Sequence, residues 1–363
     1  MLNDFPISPS ISHFLRTLGD NSEIVLDKML EGPKAFLSAL IYHKLNRPII
    51  ILTGVERSHG FIDNLETFTN RKIEEFPAWE IVDDSPLFNP DIIGKRFEIL
   101  SRLKANSKEI IFCPLQAALQ YVVSPEILKQ NILSFAVNTE CDFTKLIASL
   151  PPLGYTKVSL VVEKGQFAVR GGLIDIFPNH SLTPYRLEFF GDEITEIRAF
   201  DPESQQSQGQ VSHFYLFPTD ELSLLKGGKT DFFSYLSPDT VVIFDDLLSI
   251  EDKYSTLHKT LSSLPFFFSV ESLFTTLKKF SRIYCTTSPI EKLSDNSIPV
   301  EKSATATFEM FNQSFTANTL TIPFHEWREY ADPSLDLEKK FALLDILRDN
   351  LSLIHNSEPT RPL

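Results

Sequence analysis

Arg47-Pro48-Ile49-Ile50-Ile51-Leu52-Thr53-Gly54 decides how the first third of the chain folds. Its apolar run does not alternate, so a strand there has both faces covered, as in a parallel sheet roofed by helices. Upstream, Phe36, Ala39, Leu40 and His43 recur at a helical period, and downstream Phe61, Leu65 and Phe68 recur at i, i+4 and i+7. Ile110-Ile111-Phe112 is another short buried run. Between them Asn89-Pro90-Asp91 supplies a capping side chain and a proline at the first helical position, followed by Ile93, Phe97 and Leu100 on one face. Repeated units of this kind predict an α/β fold built on a doubly wound parallel sheet.

The texture changes after about Pro151. From Lys157 to Phe200 the period drops to two, with Val158, Leu160 and Val162, then Phe167 and Val169, separated by turn residues such as Lys164-Gly165. Within this β-rich stretch Tyr185–Phe190 and Glu193–Phe200 flank Gly191-Asp192, a two-residue turn that favours a hairpin because glycine accepts positive φ at the first central position. The polar run 201–210 reads as a loop. The α/β texture returns with Val241-Val242-Ile243-Phe244, ending in Asp245-Asp246, and with Arg282-Ile283-Tyr284. The expected organisation is a sheet domain in two segments, 1–135 and 216–300, interrupted by a smaller β-rich α+β insert at 136–215. Residues 301–363 are expected to form a linker and the start of a further domain. In that last part Leu337–Leu351 reads as an amphipathic helix, Leu351–Ile354 as an opening strand, and the tail from Ser357 as an end without counterpart. A strand that opens so late suggests a piece of a longer protein.

Composition narrows the function classes. Lys and Arg number 34 against 48 Asp and Glu in 363 residues, a formal net charge of −14, so a whole-surface nucleic-acid footprint is excluded and any DNA contact is local, such as one at Lys278-Lys279. No apolar run approaches the roughly 20 residues that cross a bilayer. The N-terminus has no basic region followed by an apolar one, so a cytoplasmic protein without membrane contact is expected. Cys113, Cys141 and Cys285 lack any CxxC spacing, and the eight His lack an HExxH pattern. No metal site is proposed, and the cysteines read as small core residues.

A phosphate-binding loop in such a sheet needs G-x-x-x-x-G-K-[ST], because backbone N–H groups cradle the phosphates, the lysine contacts them and the hydroxyl holds Mg²⁺. The first strand-to-helix turn reads instead Ile24-Val25-Leu26, then Glu31-Gly32-Pro33-Lys34-Ala35, which cannot hold a triphosphate in that way. Lys226-Gly227-Gly228-Lys229-Thr230 imitates the motif, but Ser223 stands where the first glycine belongs and no buried strand precedes it, so it reads as a solvated loop. Asp245-Asp246 has the position of a metal-coordinating pair and, without a phosphate loop, reads as a strand-end cap or a remnant. Phe76-Pro77-Ala78-Trp79-Glu80 reads as a core tryptophan at a junction, and Ser, His and Asp are scattered without a nucleophile elbow.

The hairpin carries the remaining candidate. Alternation puts Tyr185, Leu187 and Phe189 on one face and Arg186, Glu188 and Phe190 on the other, with Arg170 of the preceding strand able to join them. Arginine and an exposed aromatic together anchor protein interfaces. The residues alone leave equal room for Phe190 packing inward and the arginines pairing with Glu188 and Glu193.

Phe76–Glu80, Asn89–Arg96, Phe167–Pro178, Pro184–Ile194 and Phe200–Glu203, in this order over about 32–353, resemble the N-terminal region of bacterial transcription-repair coupling factors. The resemblance implies a module similar to the repair protein UvrB, with a degenerate P-loop-like domain in two segments and an insert that binds UvrA. It puts Arg170, Arg186 and Phe190 on the positions that contact UvrA, with Glu193 beside them in the candidate set. It also implies an adaptor rather than an enzyme, with no catalytic residue, cofactor or metal in this part. ATP, Mg²⁺, DNA and RNA polymerase would be handled by motor and polymerase-binding domains elsewhere in the family's longer chain, against which this region folds to hide its UvrA surface. In UvrB an intact phosphate loop and a tyrosine-rich DNA-inserting hairpin occupy the corresponding places; here Asp83–Phe88 is expected to run directly into the helix at Asn89, so both DNA gripping and ATP turnover should be lost. The alternative reading is a divergent UvrB-type, ATP-dependent damage-loading helicase subunit.

Overall fold

The computed structural model describes residues 9–287, apart from 20–21, 27–28, 55–58, 84, 88, 106 and 262–263, and the strands 304–310 and 313–320. The expected helix at 337–351, the strand at 351–354 and the tail from 357 lie outside the described residues. The chain divides into two compact units, one from the described parts of 1–76, 107–119 and 236–363, the other from those of 77–106 and 120–235. Both are mixed α/β.

The first unit is built on an eight-stranded sheet in the order 304–310, 313–320, 23–26, 281–285, 241–244, 49–53, 110–114, 74–75. Every neighbouring pair is parallel except the 304–310 and 313–320 hairpin. The apolar run at Ile49–Thr53 is buried throughout, as are Ile110–Pro114, Val241–Phe244 and Ser281–Cys285. Alternate residues explain this. Ile49, Ile51, Phe112, Ile243 and Ile283 pack with Phe14, Phe36, Leu40, Phe61 and Leu65 of the helices Pro9–Thr17, Glu31–Leu40 and His59–Thr69. Phe244, from the other set, stacks on Phe274 of the helix Val270–Leu277 with ring centroids 6.2 Å apart. Helices on both faces are what non-alternating strands require.

The second unit is built around an antiparallel sheet ordered 156–157, 166–170, 173–176, 185–190, 193–200, 207–210, in which 139–140 also pairs with 193–200 and only the first pair is parallel. Phe167, Ile174, Ile176, Leu187, Phe189, Ile194 and Ile197 form its buried face, under Leu146 of the helix Phe143–Ser149. The turn joining 185–190 to 193–200 has Gly191 at φ +63°, as its position demands.

Sequence motifs around the helix Pro90–Lys104 turn out to be one device. Asn89 caps it, accepting from Asp91 N at 3.0 Å, and Asp91 pairs with Lys164. Gly94 lies against the backbone of Asn179; a Cβ there would come within 2.5 Å of Asn179 C. Arg96 and Glu221 are fully buried and joined at 2.7 Å. The Trp79 indole N–H donates to the same carboxylate at 2.8 Å, and the Arg96 guanidinium lies 4.6 Å from the Trp79 ring centroid. Trp79 is thus a core residue, as expected, but one held by an ion network rather than by apolar packing alone.

Two expectations need correction. Residues after Trp79 do not run straight into the helix at Asn89: Ile81–Val82 pairs with Ser85–Pro86 around Asp83 at φ +49°, and Leu87 N–H donates to Glu80 O at 2.8 Å. A left-handed Asp closes this short ladder locally. Cys113 and Cys285 are buried, but Cys141 is only partly so, because it lies where the 139–140 strand leaves the sheet.

Candidate partner-binding face and the closed phosphate site

Register places Arg170, Asp175, Arg186, Glu188, Arg198 and Phe190 on the face of the antiparallel sheet opposite its core. Alternation does this, since their neighbours Val169, Ile174, Leu187 and Phe189 pack within it. Phe190, the last residue of its strand, is 81% exposed, and Glu193 faces it across the turn, also exposed. The turn after Arg170 ends beside them. Gly171 has φ +59°, and Gly172 O accepts from Phe189 N at 2.9 Å, so Arg170 and Phe190 belong to the same end of the sheet.

The arginines do not pair with Glu188 and Glu193. Both converge on Asp175: Arg186 donates from Nε to Oδ1 at 2.7 Å and from Nη2 to Oδ2 at 2.9 Å, and Arg170 donates from Nη2 to Oδ2 at 3.0 Å. Glu188 is taken by Arg198 at 2.9 Å instead. The hydrogen bonds that Arg186 donates to Asp175 hold its guanidinium above its ordinary pKa, and the guanidinium carbon lies over the Phe200 ring, 4.6 Å from its centroid. Sequence reasoning missed Asp175. The signal was present, because in Leu173-Ile174-Asp175-Ile176 alternation puts that carboxylate on the arginine face.

In the first unit, the segment that departs from the phosphate-loop pattern is joined to the Asp245-Asp246 pair. Lys34, in the first turn of the helix Glu31–Leu40, forms an ion pair with Asp245 at the end of strand 241–244, and both are buried. The ammonium also donates to Asp245 O at 3.0 Å. Burial disfavours the charge on Lys34, but Asp245 outweighs it and holds the ammonium above its usual pKa. Lys34 N–H is spent on Leu30 O at 3.0 Å, and Pro33 has none to offer. The Lys34 ammonium and backbone amide are thus both engaged within the fold. Asp246 accepts from Thr287 N at 3.3 Å.

Lys229 of the imitation motif lies on a two-residue strand, exposed, with its ammonium 4.1 Å from the Tyr121 ring centroid. Among the described residues no group of three or more His, Cys, Asp or Glu is placed to hold a metal, and no helix is long and apolar enough to cross a membrane.

Comparison with known proteins places these features. Residues 133–222, which include the whole arginine and phenylalanine face, match the UvrB interaction domain. The chain is 31% identical over 204 residues to the transcription-repair-coupling factor of Haemophilus influenzae, covering 55% of this chain and 18% of that protein. It is 30% identical over 199 residues to that of Escherichia coli, covering 54% and 17%, and 27% identical over 190 residues to that of Bacillus subtilis, covering 52% and 16%. The matched stretch thus amounts to less than a fifth of each relative. Over residues 133–222 this chain is thus similar to the UvrB interaction domain, and over about half its length it is similar to the bacterial transcription-repair-coupling factors.

Proposed function

We propose that this chain is a UvrA-recruiting adaptor, acting for a transcription-repair coupling factor that recognises RNA polymerase stalled at a DNA lesion, displaces it and hands the site to nucleotide excision repair. One observation carries the proposal: a phenylalanine 81% exposed at the end of an arginine-bearing sheet face, inside a UvrB interaction domain. An exposed aromatic beside arginines is the residue combination that most often anchors a protein interface. On this reading Phe190 fills an apolar pocket of UvrA, Arg170 and Arg186 set a positive surface for its carboxylates, and Glu193 meets a basic group at the rim. The insert at 136–215 mimics UvrB, and the segments at 1–135 and 216–300 are its scaffold.

The adaptor works without a cofactor of its own. The Lys34 and Asp245 ion pair supports this, since a nucleotide would have to break a buried pair to recruit either residue. ATP, Mg²⁺, DNA and polymerase belong to the longer relatives' other parts. Calorimetric titration of the chain with UvrA, and separately with ATP and Mg²⁺, tests the proposal, with Arg170→Ala as control. UvrA binding weakened by the control, and no heat with ATP, is the expected result. ATP binding without UvrA binding would overturn it in favour of a UvrB-type ATP-dependent subunit.

A further inference from the structure

We propose that Asp175 is a positioning residue of this face: it gathers the Arg170 and Arg186 guanidiniums on one buried carboxylate, so that Arg170 presents its remaining donors, near Phe190, to a carboxylate of UvrA. The inference rests on the UvrA reading above and adds to it a division of labour among residues that look equivalent in sequence.

The three side chains differ sharply in exposure. Asp175 is 3% exposed, Arg186 16% and Arg170 48%. A buried carboxylate is costly unless its oxygens are fully used, and here both accept from guanidinium nitrogens. Arg186 gives Asp175 two nitrogens and sets its guanidinium carbon over the Phe200 ring, so its fork is spent inside the protein. Arg170 gives one nitrogen and keeps half its side chain in water. Two guanidiniums on one carboxylate leave an excess positive charge, and its exposed share is on Arg170. Such a planar fork takes a carboxylate bidentately, and one already immobilised loses less rotamer freedom on docking. The Gly171 turn brings this arginine to the end of the sheet where Phe190 stands.

The test is calorimetric titration of UvrA with the full chain and its variants, each variant's melting temperature taken alongside. Asp175→Asn keeps the side chain's shape but loses the negative charge and one of the two oxygens that accept from the guanidiniums. It is expected to weaken binding about tenfold, as Arg170→Ala does, and to add less than about twofold in the Arg170→Ala background, because residues acting as one unit are not additive. Arg170→Lys leaves the Asp175 and Arg186 pair in place. It is expected to match Arg170→Ala to within roughly threefold, because a lysine's single cationic centre is consumed by Asp175. If Asp175→Asn melts too early to titrate, the lysine variant decides alone. Unsubstituted affinity in Arg170→Lys overturns the role. So does a full Asp175→Asn loss that persists in the Arg170→Ala background, the signature of a merely structural residue. Absence of binding by the unsubstituted chain is a different result: it removes the UvrA reading, and this role with it.

Discussion

Phe190→Ala separates a binding role from a packing role, because the structure assigns opposite consequences to the two. Full burial of a phenylalanine is worth roughly 1.5–3 kcal/mol, and only about a fifth of this ring is covered within the chain, so truncation should cost about 0.5 kcal/mol of stability. The exposed remainder, buried by a partner, is worth roughly 1–2.5 kcal/mol, or about 5- to 60-fold in affinity at 1.4 kcal/mol per decade. The assay pairs urea unfolding of the variant with calorimetric titration against UvrA. A stability loss above about 1.5 kcal/mol would mean that the ring packs inward and that its exposure has been misread. Affinity unchanged within about twofold would refute the anchor itself.

Other consequences follow from the scaffold. Lys34→Met strands the buried Asp245 and should cost about 3–5 kcal/mol in urea unfolding, whereas Lys34→Met with Asp245→Leu should recover most of it; a near-neutral single variant would show that the pair is solvated. Gly94→Ala drives a methyl into the Asn179 backbone and should cost about 1–3 kcal/mol, against near neutrality if the helix can shift away. His180 meets Phe217 edge to face with ring centroids 4.7 Å apart, and burial, assisted by Lys164, pushes its pKa down to about 4. Its folded pKa lies below the unfolded value near 6.5, so its contribution is complete above that value and is lost as pH falls toward 4. His180→Gln should therefore flatten the acid limb of stability by about 2 kcal/mol relative to the parent; identical limbs would refute the shift.

The strands of the parallel sheet were legible because a non-alternating apolar run such as Ile49–Leu52 has one stable environment, a layer covered on both sides. The hairpin was legible at Gly191 for an equally local reason, the positive φ its turn demands. That Gly32-Pro33-Lys34-Ala35 departs from the phosphate-loop pattern was also legible. The partner of Lys34 was not. Lys34 and Asp245 lie 211 positions apart, and Arg96 and Glu221 lie 125 apart.

Periodicity, caps and turn residues act over a few positions, so they determine where an element forms and which face it buries. They carry no information about which charged residue meets which. Only the strand order 23–26, 281–285, 241–244 brings the helix that follows the first of these strands to the end of the last, joining Lys34 and Asp245 in one buried ion pair. In the same way alternation along single strands selected the face that carries Arg170, Arg186 and Phe190, but cross-strand register chose Asp175 over Glu188 and Glu193 as the arginines' partner. A buried carboxylate within reach of two guanidiniums must be satisfied where it stands, while an exposed one can also be satisfied by water or, like Glu188, by another arginine. Burial therefore decided the pairing, and burial exists only once the sheet has formed.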